Sequence, residues 1–300
     1  MAIAGVTDGI LAQALNYLYP FWTGAWGAIE FAGFLMAGLL LFELCWPGRR
    51  LHWKTLLFNT LYIPVYLTLA TALLHPLSSA IDPWLPKHLL GIRLTTASPW
   101  YAAAGFLLYA FVFDFFYYWF HRAQHGWSVL WRYHTVHHSD VNVSMSTSVR
   151  HHWGEEAMRY FVITAPMLII FGGPEQIPFW MLATIGMFGL FIHWNMPWRL
   201  GFLGRWVVTP WYHRIHHSVE ARHFDKNFAV FFPFWDWVFG TQHVPAPSEY
   251  PDTGMAEIQN PNNLGLLLPW PKPVFVPAPA AASAPSPKAS TGDRAVNAPP

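Results

Sequence analysis

The sequence predicts an all-α integral membrane protein, a helical bundle with a helical cap on one side of the bilayer. Of its 300 residues, 54% are hydrophobic and 11% are charged, whereas roughly 25% charged residues are usual in a soluble domain. Eighteen tryptophans and twelve tyrosines suit a protein that meets both membrane interfaces. Several apolar runs also approach the ~20 residues that an α-helix needs to cross a bilayer.

Three long apolar segments are predicted to cross the membrane. They are Ala28–Trp46, Leu56–Leu77 and Trp100–Phe120. Pro64 lies inside the second segment, where we expect it to kink the helix. Glu30 and Glu43 lie toward the ends of the first segment, where their carboxylates are expected to reach the interface. Two shorter apolar runs, Tyr160–Phe171 and Ile177–Ile192, are predicted to form a hairpin that returns to its starting side.

The loop after the first segment carries Arg49, Arg50 and Lys54, which places it in the cytoplasm by the positive-inside rule. Two further crossings bring the end of the third segment to the same side, so the cap is predicted to be cytoplasmic. Residues 1–26 contain no Lys or Arg and therefore lack the basic region of a secretory signal peptide. We expect a multi-pass protein of a bacterial inner membrane.

Three regions are predicted along the chain. Residues 1–98 hold the N-terminal membrane helices and a connecting loop, and residues 99–245 hold the third membrane helix, the hairpin and most of the histidines. Residues 246–300 form a C-terminal extension. Its Pro/Ala-rich tail, from about residue 269, is expected to be disordered because it has no apolar period.

Histidines form three closely spaced boxes, one HxxxH and two HxxHH. The boxes contain His121 and His125, then His134, His137 and His138, and finally His213, His216 and His217. Helix positions i, i+3 and i+4 share a face, so each box can aim two or three imidazoles at one point. Eight imidazoles exceed the need of one metal ion and suit two. The single cysteine, Cys45, excludes a cysteine-based zinc site, so nitrogen and oxygen must supply the ligands.

This donor set points to redox chemistry on an apolar substrate. Imidazole suits Fe, Zn, Cu and Ni, and a pair of iron ions can use O2 to attack an unactivated C–H bond, which no side chain can do alone. A site at the end of membrane helices can receive a lipid. Two alternatives stay open, a metal-dependent membrane hydrolase, which typically needs three protein ligands, and a metal transport or storage protein. The net charge of +1 indicates no nucleic-acid partner.

The boxes HRAQH, HTVHH and HRIHH resemble those of the fatty acid hydroxylase/sterol desaturase superfamily of membrane di-iron proteins. The resemblance covers about Phe113–Thr241. It includes the approach DFFYYWFHR to the first box, the His-x-Asn of His193–Asn195 and the segment Asp225–Thr241 after the last box. Departures are Trp153, where the family has proline, and Ala229, where it has glycine.

Membership would imply two iron ions, with zinc as a possible occupant after purification, and O2 as co-substrate. The implied metal ligands are His121, His125, His134, His137, His138, His152, His193, His213, His216 and His217. Residues expected to orient these ligands by hydrogen bonds are Asp114, Asn195, Asp225 and Asn227. Asp114 precedes His121 by two helical turns on the same face, and such acceptors commonly orient metal-bound histidines. His151 and His223 lie off the pattern and are expected to support the site or to lie at the surface.

The implied reaction is hydroxylation or desaturation of a membrane lipid such as a fatty acyl chain or a sterol, and the boxes do not distinguish these two outcomes. No haem-, flavin- or nicotinamide-binding segment is visible in the sequence. We therefore expect a separate electron donor, a ferredoxin or a cytochrome b5-type protein with its reductase.

Overall fold

The computed structural model describes residues 38–94, 98–255, 258 and 260–271, and this part of the chain is all-helical. Its helices are α1 (38–45), α2 (Trp53–Ile81), α3 (Pro99–Gly126), α4 (Ser128–His138), α5 (Glu155–Arg159), α6 (Ala165–Phe171), α7 (Phe179–Ile192), α8 (Pro210–His216) and α9 (Pro233–Val238). A π-helical turn, Tyr160–Thr164, joins α5 to α6. The same ranges contain no β-strand, and one isolated β-bridge pairs Ser218 with Thr253.

Two helices in the described ranges are long and apolar enough to cross a membrane. They are Trp53–Trp84, which includes α2 and a short 3-10 turn, and α3. With the relatives described below, they indicate a membrane protein. At its start, α3 is capped by Ser98, whose side chain accepts a hydrogen bond from the Tyr101 N–H, and Pro99 occupies the first turn, where its missing N–H costs nothing. The helix then continues through the first histidine box.

The other predicted membrane segments differ in extent from the helices. Only residues 38–45 of the first segment are described, and the rest of that prediction, with Glu30, lies outside the described residues. α2 runs for 29 residues with Pro64 and Pro76 inside it. The hairpin arms are short, since α7 has 14 residues and the other arm combines the π turn with α6.

Glu43 corrects one expectation, because its carboxylate does not reach outward but is fully buried. It accepts hydrogen bonds from the backbone N–H groups of Met145 and Asn195. Burial of a carboxylate is expensive without such donors. Glu43 therefore ties α1 to the two loops that follow the second histidine box and α7.

Apolar packing surrounds the histidine region on three sides. One core joins α3, α7 and α8 to the segment Phe228–Phe231, and a second joins α3 to the hairpin. The third joins α2 to Val136 of α4 and to Leu266 in the C-terminal extension. Residues 260–271 thus pack against the histidine region. The tail predicted from about residue 269 is described only as far as residue 271, where the Pro269 and Pro271 oxygens accept hydrogen bonds from Tyr133 and Arg132, and its remainder lies outside the described residues.

Candidate metal centre

Four elements bring the histidine boxes together. α3 ends with the first box, α4 carries the second, α8 carries the third, and His193 directly follows α7. α8 begins at Thr209, whose side chain accepts a hydrogen bond from the Tyr212 N–H. The short helix therefore starts in a fixed register, and its first two box histidines, His213 and His216, share one face as the spacing predicts.

The imidazoles separate into two neighbouring groups. Within each group, one nitrogen atom of every imidazole lies within 4.8 Å of the corresponding nitrogens of the others. Group A consists of His121, His125, His134, His138 and His216. Group B consists of His137, His193, His213 and His217. The groups touch, because the ring centroids of His138 and His217 are 4.6 Å apart. Nine of the ten predicted ligands are therefore brought together.

Backbone carbonyls determine which ring nitrogen faces inward. The Nδ1 atom of His121 lies 2.8 Å from the Phe228 oxygen, and the Nδ1 atom of His216 lies 2.8 Å from the Lys226 oxygen. A carbonyl can only accept, so each Nδ1 carries the proton and each Nε2 presents a lone pair. His193 follows the same rule, since its Nδ1 donates to an oxygen of its own helix, that of Gly189, at 2.7 Å. Such contacts orient metal-binding histidines.

The inward nitrogens are spaced as ligands of a common ion. In group A, the Nε2 atom of His138 lies 3.2 Å from that of His125 and 3.0 Å from that of His216. In group B, the Nε2 atom of His193 lies 3.1 Å from those of both His137 and His213. Two nitrogens bound at ~2.0–2.1 Å to one ion with ordinary coordination angles are about 2.9–3.4 Å apart.

Lone pairs at these distances repel unless a cation lies between them, and one inward nitrogen can satisfy only a single neighbour by hydrogen bonding. The buried Nε2 atoms of His121 and His134 have no hydrogen-bond partner among the described residues. Unsatisfied buried nitrogens are costly in a protein interior. The residues present therefore fit a pair of metal ions held by nitrogen donors.

Burial keeps these imidazoles neutral, as metal binding requires. It lowers the pKa of His137, His138 and His217 well below the usual value, and neighbouring imidazoles lower it further. Burial also lowers the pKa of His134 to about 4, although the nearby carboxylate of Glu155 opposes the shift. An arriving ion therefore meets neutral imidazoles and does not have to displace a proton from their inward nitrogens.

His152 corrects the ligand assignment taken from the family pattern. Its Nε2 atom lies 2.9 Å from the Leu268 oxygen, and its Nδ1 atom accepts the N–H of Gly154. Both ring nitrogens are therefore occupied outside the two groups. His151 faces the centre instead, with its ring stacked on that of His137 at a centroid distance of 4.3 Å.

Glu155 is a buried carboxylate that the sequence-based site did not include. One of its oxygens lies 3.3 Å from the Nδ1 atom of His151 and 3.7 Å from that of His134, and it also accepts a hydrogen bond from Gln124. Burial alone would raise the pKa of Glu155, but these imidazoles lower it well below the usual value. The carboxylate joins His151 to group A.

The four residues expected to orient ligands behave differently from one another. Asp225 contacts an imidazole, with a carboxylate oxygen 3.4 Å from the Nδ1 atom of His125. Among the residues that the structure describes, the side chains of Asp114, Asn195 and Asn227 hydrogen-bond to backbone groups and to a tyrosine hydroxyl, and not to an imidazole ring. The expectation that Asp114 bonds directly to a histidine is thus corrected.

Asp114 instead binds the backbone segment whose carbonyl orients His121. It accepts the N–H groups of Val230 and Phe232 at 2.7 Å each, and Asp236 accepts those of Phe228 and Ala229. Two buried carboxylates therefore bind four N–H groups of one five-residue segment. That segment carries the Phe228 carbonyl that orients His121.

His223 belongs to a separate group with His243 and Glu249. Its Nε2 atom lies 2.8 Å from a Glu249 oxygen, and its Nδ1 atom lies 2.8 Å from the Ser218 hydroxyl. Burial would raise the pKa of Glu249, but its Ala246 N–H and imidazole partners lower it to about 2. Arg222 and the Ala246 N–H also donate to this carboxylate. Hydrogen bonds and ion pairs therefore explain why these three side chains lie together, without a metal ion.

A cavity of about 360 Å³ opens beside group A. His125, His138 and His216 line one wall. Trp131, Phe224 and Met255 contribute apolar surface. Part of group A is therefore accessible to a ligand that is largely apolar.

Comparison with known proteins agrees with this arrangement. The model of the fatty acid hydroxylase family matches residues 106–241, the part of the chain that contains all three boxes. This region of the chain is similar to the fatty acid hydroxylase superfamily. No solved structure matches the chain significantly.

Relatives of the chain include a monooxygenase, a lipid hydroxylase and an aldehyde decarbonylase. The chain is 31% identical to alkylglycerol monooxygenase of Danio rerio, over 55% of this chain and 35% of the relative. It is 29% identical to ornithine lipid hydroxylase OlsE of Rhizobium tropici, over 52% of this chain and 47% of the relative. It is 30% identical to very-long-chain aldehyde decarbonylase GL1-5 of Oryza sativa subsp. indica, over 48% of this chain and 24% of the relative. The chain thus spans less than half the length of each of these relatives.

Proposed function

We propose that the protein is a membrane di-iron oxidoreductase that uses O2 to hydroxylate or desaturate a lipid. The observation that carries this proposal is the pair of touching imidazole groups, five and four histidines, at the ends of apolar helices. The named relatives act as a monooxygenase, a hydroxylase and a decarbonylase of lipid compounds. Nitrogen-only sites of this size favour a redox pair over a hydrolytic zinc ion, which typically uses three protein ligands.

In this proposal group A holds one iron ion, group B holds the other, and the iron pair supplies O2 activation. Hydroxylation of R–H consumes O2, two electrons and two protons. One oxygen atom enters the new C–O bond and the other leaves as water. Desaturation consumes the same reagents but removes two substrate hydrogens and releases two waters.

The protein's own residues position the reactants. Carbonyl oxygens of Phe228, Lys226 and Gly189 keep the inward nitrogens unprotonated. The apolar wall of the cavity beside group A, with Trp131, Phe224 and Met255, suits an aliphatic segment and limits the water near the reacting carbon. Two of the relatives are named for lipid substrates, an alkylglycerol and an ornithine lipid, so a membrane lipid is the proposed substrate class.

The proposal includes a multi-pass topology in a bacterial inner membrane with the metal centre in the cytoplasm. Arg49, Arg50 and Lys54 support that side by the positive-inside rule. A cytoplasmic centre would meet soluble electron donors directly. A ferredoxin, or a cytochrome b5-type protein with its reductase, is the proposed source of the two electrons.

The test compares lipids from cells with and without the gene, and then repeats the reaction with purified iron-loaded protein, a reductase system and 18O2. We expect a lipid product that gains one 18O atom or loses two hydrogens, only with O2 and reductant. Product formed without O2, or a hydrolysis product that takes 18O from labelled water, would contradict the proposal. Zinc-loaded protein is the matched control and is expected to be inactive.

A further inference from the structure

A second cavity, the outer groove, lies between α3, the loop before α8, and α9. Its volume is about 730 Å³, within the roughly 300–1,000 Å³ of ligand sites. Its walls are mostly apolar. The lining residues are Leu107, Phe111, Arg205, Trp206, Val207, Phe232, Pro233, Phe234, Trp237 and Gln242.

One wall of the outer groove belongs to a membrane-crossing helix. Leu107 and Phe111 lie on α3, 14 and 10 residues before His121, which is about 21 and 15 Å along the helix axis. Leu107 is 56% exposed and its neighbour Leu108 is 43% exposed. This wall is therefore continuous with surface that faces lipid chains in a bilayer.

The opposite wall has the composition of a membrane interface. Trp206 and Trp237 are 63% and 66% exposed, and amphipathic indole rings collect at the headgroup level. Arg205 is the charged residue among the lining residues. Its guanidinium has no hydrogen bond or ion pair with any residue that the structure describes, so it is available to an anion.

The outer groove is separate from the metal centre. Phe232 lines the groove, while its N–H is bound to Asp114, whose carboxylate also holds the Val230 N–H. The segment Phe228–Phe232 therefore stands between the groove and the histidines. A molecule in the groove would contact α3 and the loop around residue 205 without reaching an imidazole of the described site.

We propose that the outer groove binds one anionic phospholipid from the surrounding bilayer. An acyl chain lies along Leu107 and Phe111, and the phosphate group pairs with Arg205. Basic residues beside membrane helices bind anionic headgroups in this way. The proposal depends on the membrane location of α3 and not on the identity of the metal or of the substrate.

The experiment is native mass spectrometry of the full chain in detergent, titrated with dioleoyl phosphatidylglycerol or with dioleoyl phosphatidylcholine. We expect one tightly retained phosphatidylglycerol per chain and weaker retention of phosphatidylcholine. Arg205→Gln is expected to weaken phosphatidylglycerol binding about fivefold or more, as the loss of one interfacial arginine implies. Trp237→Ala is expected to weaken the binding of both lipids, since it removes part of the apolar wall of the groove.

Arg93→Gln is the matched control, because Arg93 is also exposed but precedes α3 and lies off the groove. It should bind phosphatidylglycerol like the unaltered protein, and thermal unfolding checks that both arginine variants are folded. The proposal fails if the two arginine variants behave alike or if the lipids bind equally. It also fails if a dimer that excludes lipid covers the groove.

Discussion

The Nε2 atom of His216 lies 3.0 Å from the Nε2 atom of His138, although 78 positions separate the two residues. The Nδ1–H of His216 is engaged by the Lys226 oxygen, so its inward nitrogen carries a lone pair. Because the Nε2 atom of His138 also lies 3.2 Å from that of His125, one shared proton cannot satisfy all three nitrogens, whereas a shared cation can. The same relationship joins His213 to His193 in group B, which makes separate tests of the two groups possible.

Each histidine group is expected to account for its own share of bound metal. His216→Ala in group A and His213→Ala in group B should each lower the metal content by about one ion per chain and abolish oxidation. The reason is that each variant removes an inward nitrogen that the other group cannot replace. Elemental analysis of purified protein measures this. His52→Ala, an exposed histidine before α2, is the control, and unchanged metal in either group variant would contradict the assignment.

Substitutions of His151 and His152 are expected to have different effects on metal binding. His151→Ala removes the imidazole between His137 and Glu155 and should lower metal content and activity. His152→Ala loses its bonds to Leu268 and Gly154 and should cost about 1 kcal/mol of unfolding free energy per bond with metal content retained. Metal analysis and thermal unfolding of the pair distinguish the two residues. Loss of metal in His152→Ala alone would restore the family-based assignment.

Asp114→Ala should destabilise the protein by about 2 to 5 kcal/mol, because it leaves two buried N–H groups without an acceptor. Asp114→Asn keeps one acceptor oxygen and should cost less. Release of the segment Phe228–Phe232 also frees the carbonyl that orients His121, so we expect weaker metal retention during dialysis against a chelator. Equal stability of both variants and the unaltered protein would show that another contact holds this segment.

Substitution of Arg150 is expected to impair the protein as strongly as substitution of a metal ligand, although Arg150 itself binds no metal. Its buried guanidinium donates to the Val136 and Pro261 oxygens and to the side chains of Asn59 and Ser139. Lysine cannot reproduce this fork of donors, so Arg150→Lys should lower the unfolding temperature and expose residues 260–271 to protease. Arg222→Lys, at the surface, is the control. Protection equal to that of the unaltered protein would contradict this role.

Much of the site could be predicted because it depends on spacing along helices. The boxes at α3, α4 and α8 place His121, His134 and His213 inward by helical geometry alone. The apolar lengths of α2 and α3 likewise depend on local composition. The separation into two groups does not follow from any one box, since His137 and His138 are neighbours in sequence but face different groups.

The remaining features depend on backbone atoms of distant segments. Leu268 holds His152 away from the centre through a carbonyl oxygen, and a carbonyl carries no residue-type signal in the sequence. Arg150 is bound in the same way by the Pro261 oxygen. Glu155 could have been proposed from the sequence, because it follows His151 by only four residues, a separation at which the side chains can meet across the turn before α5. Its burial, however, depends on α3 and α4.

Glu43 has a consequence for how the metal centre is held together. Its carboxylate serves backbone groups 102 and 152 residues later in the chain. The loops at Met145 and Asn195 have this acceptor only when α1 is packed against them. Retention of metal should thus depend on a segment that itself donates no ligand, and protein synthesised without α1 should lose bound metal more readily than the full chain.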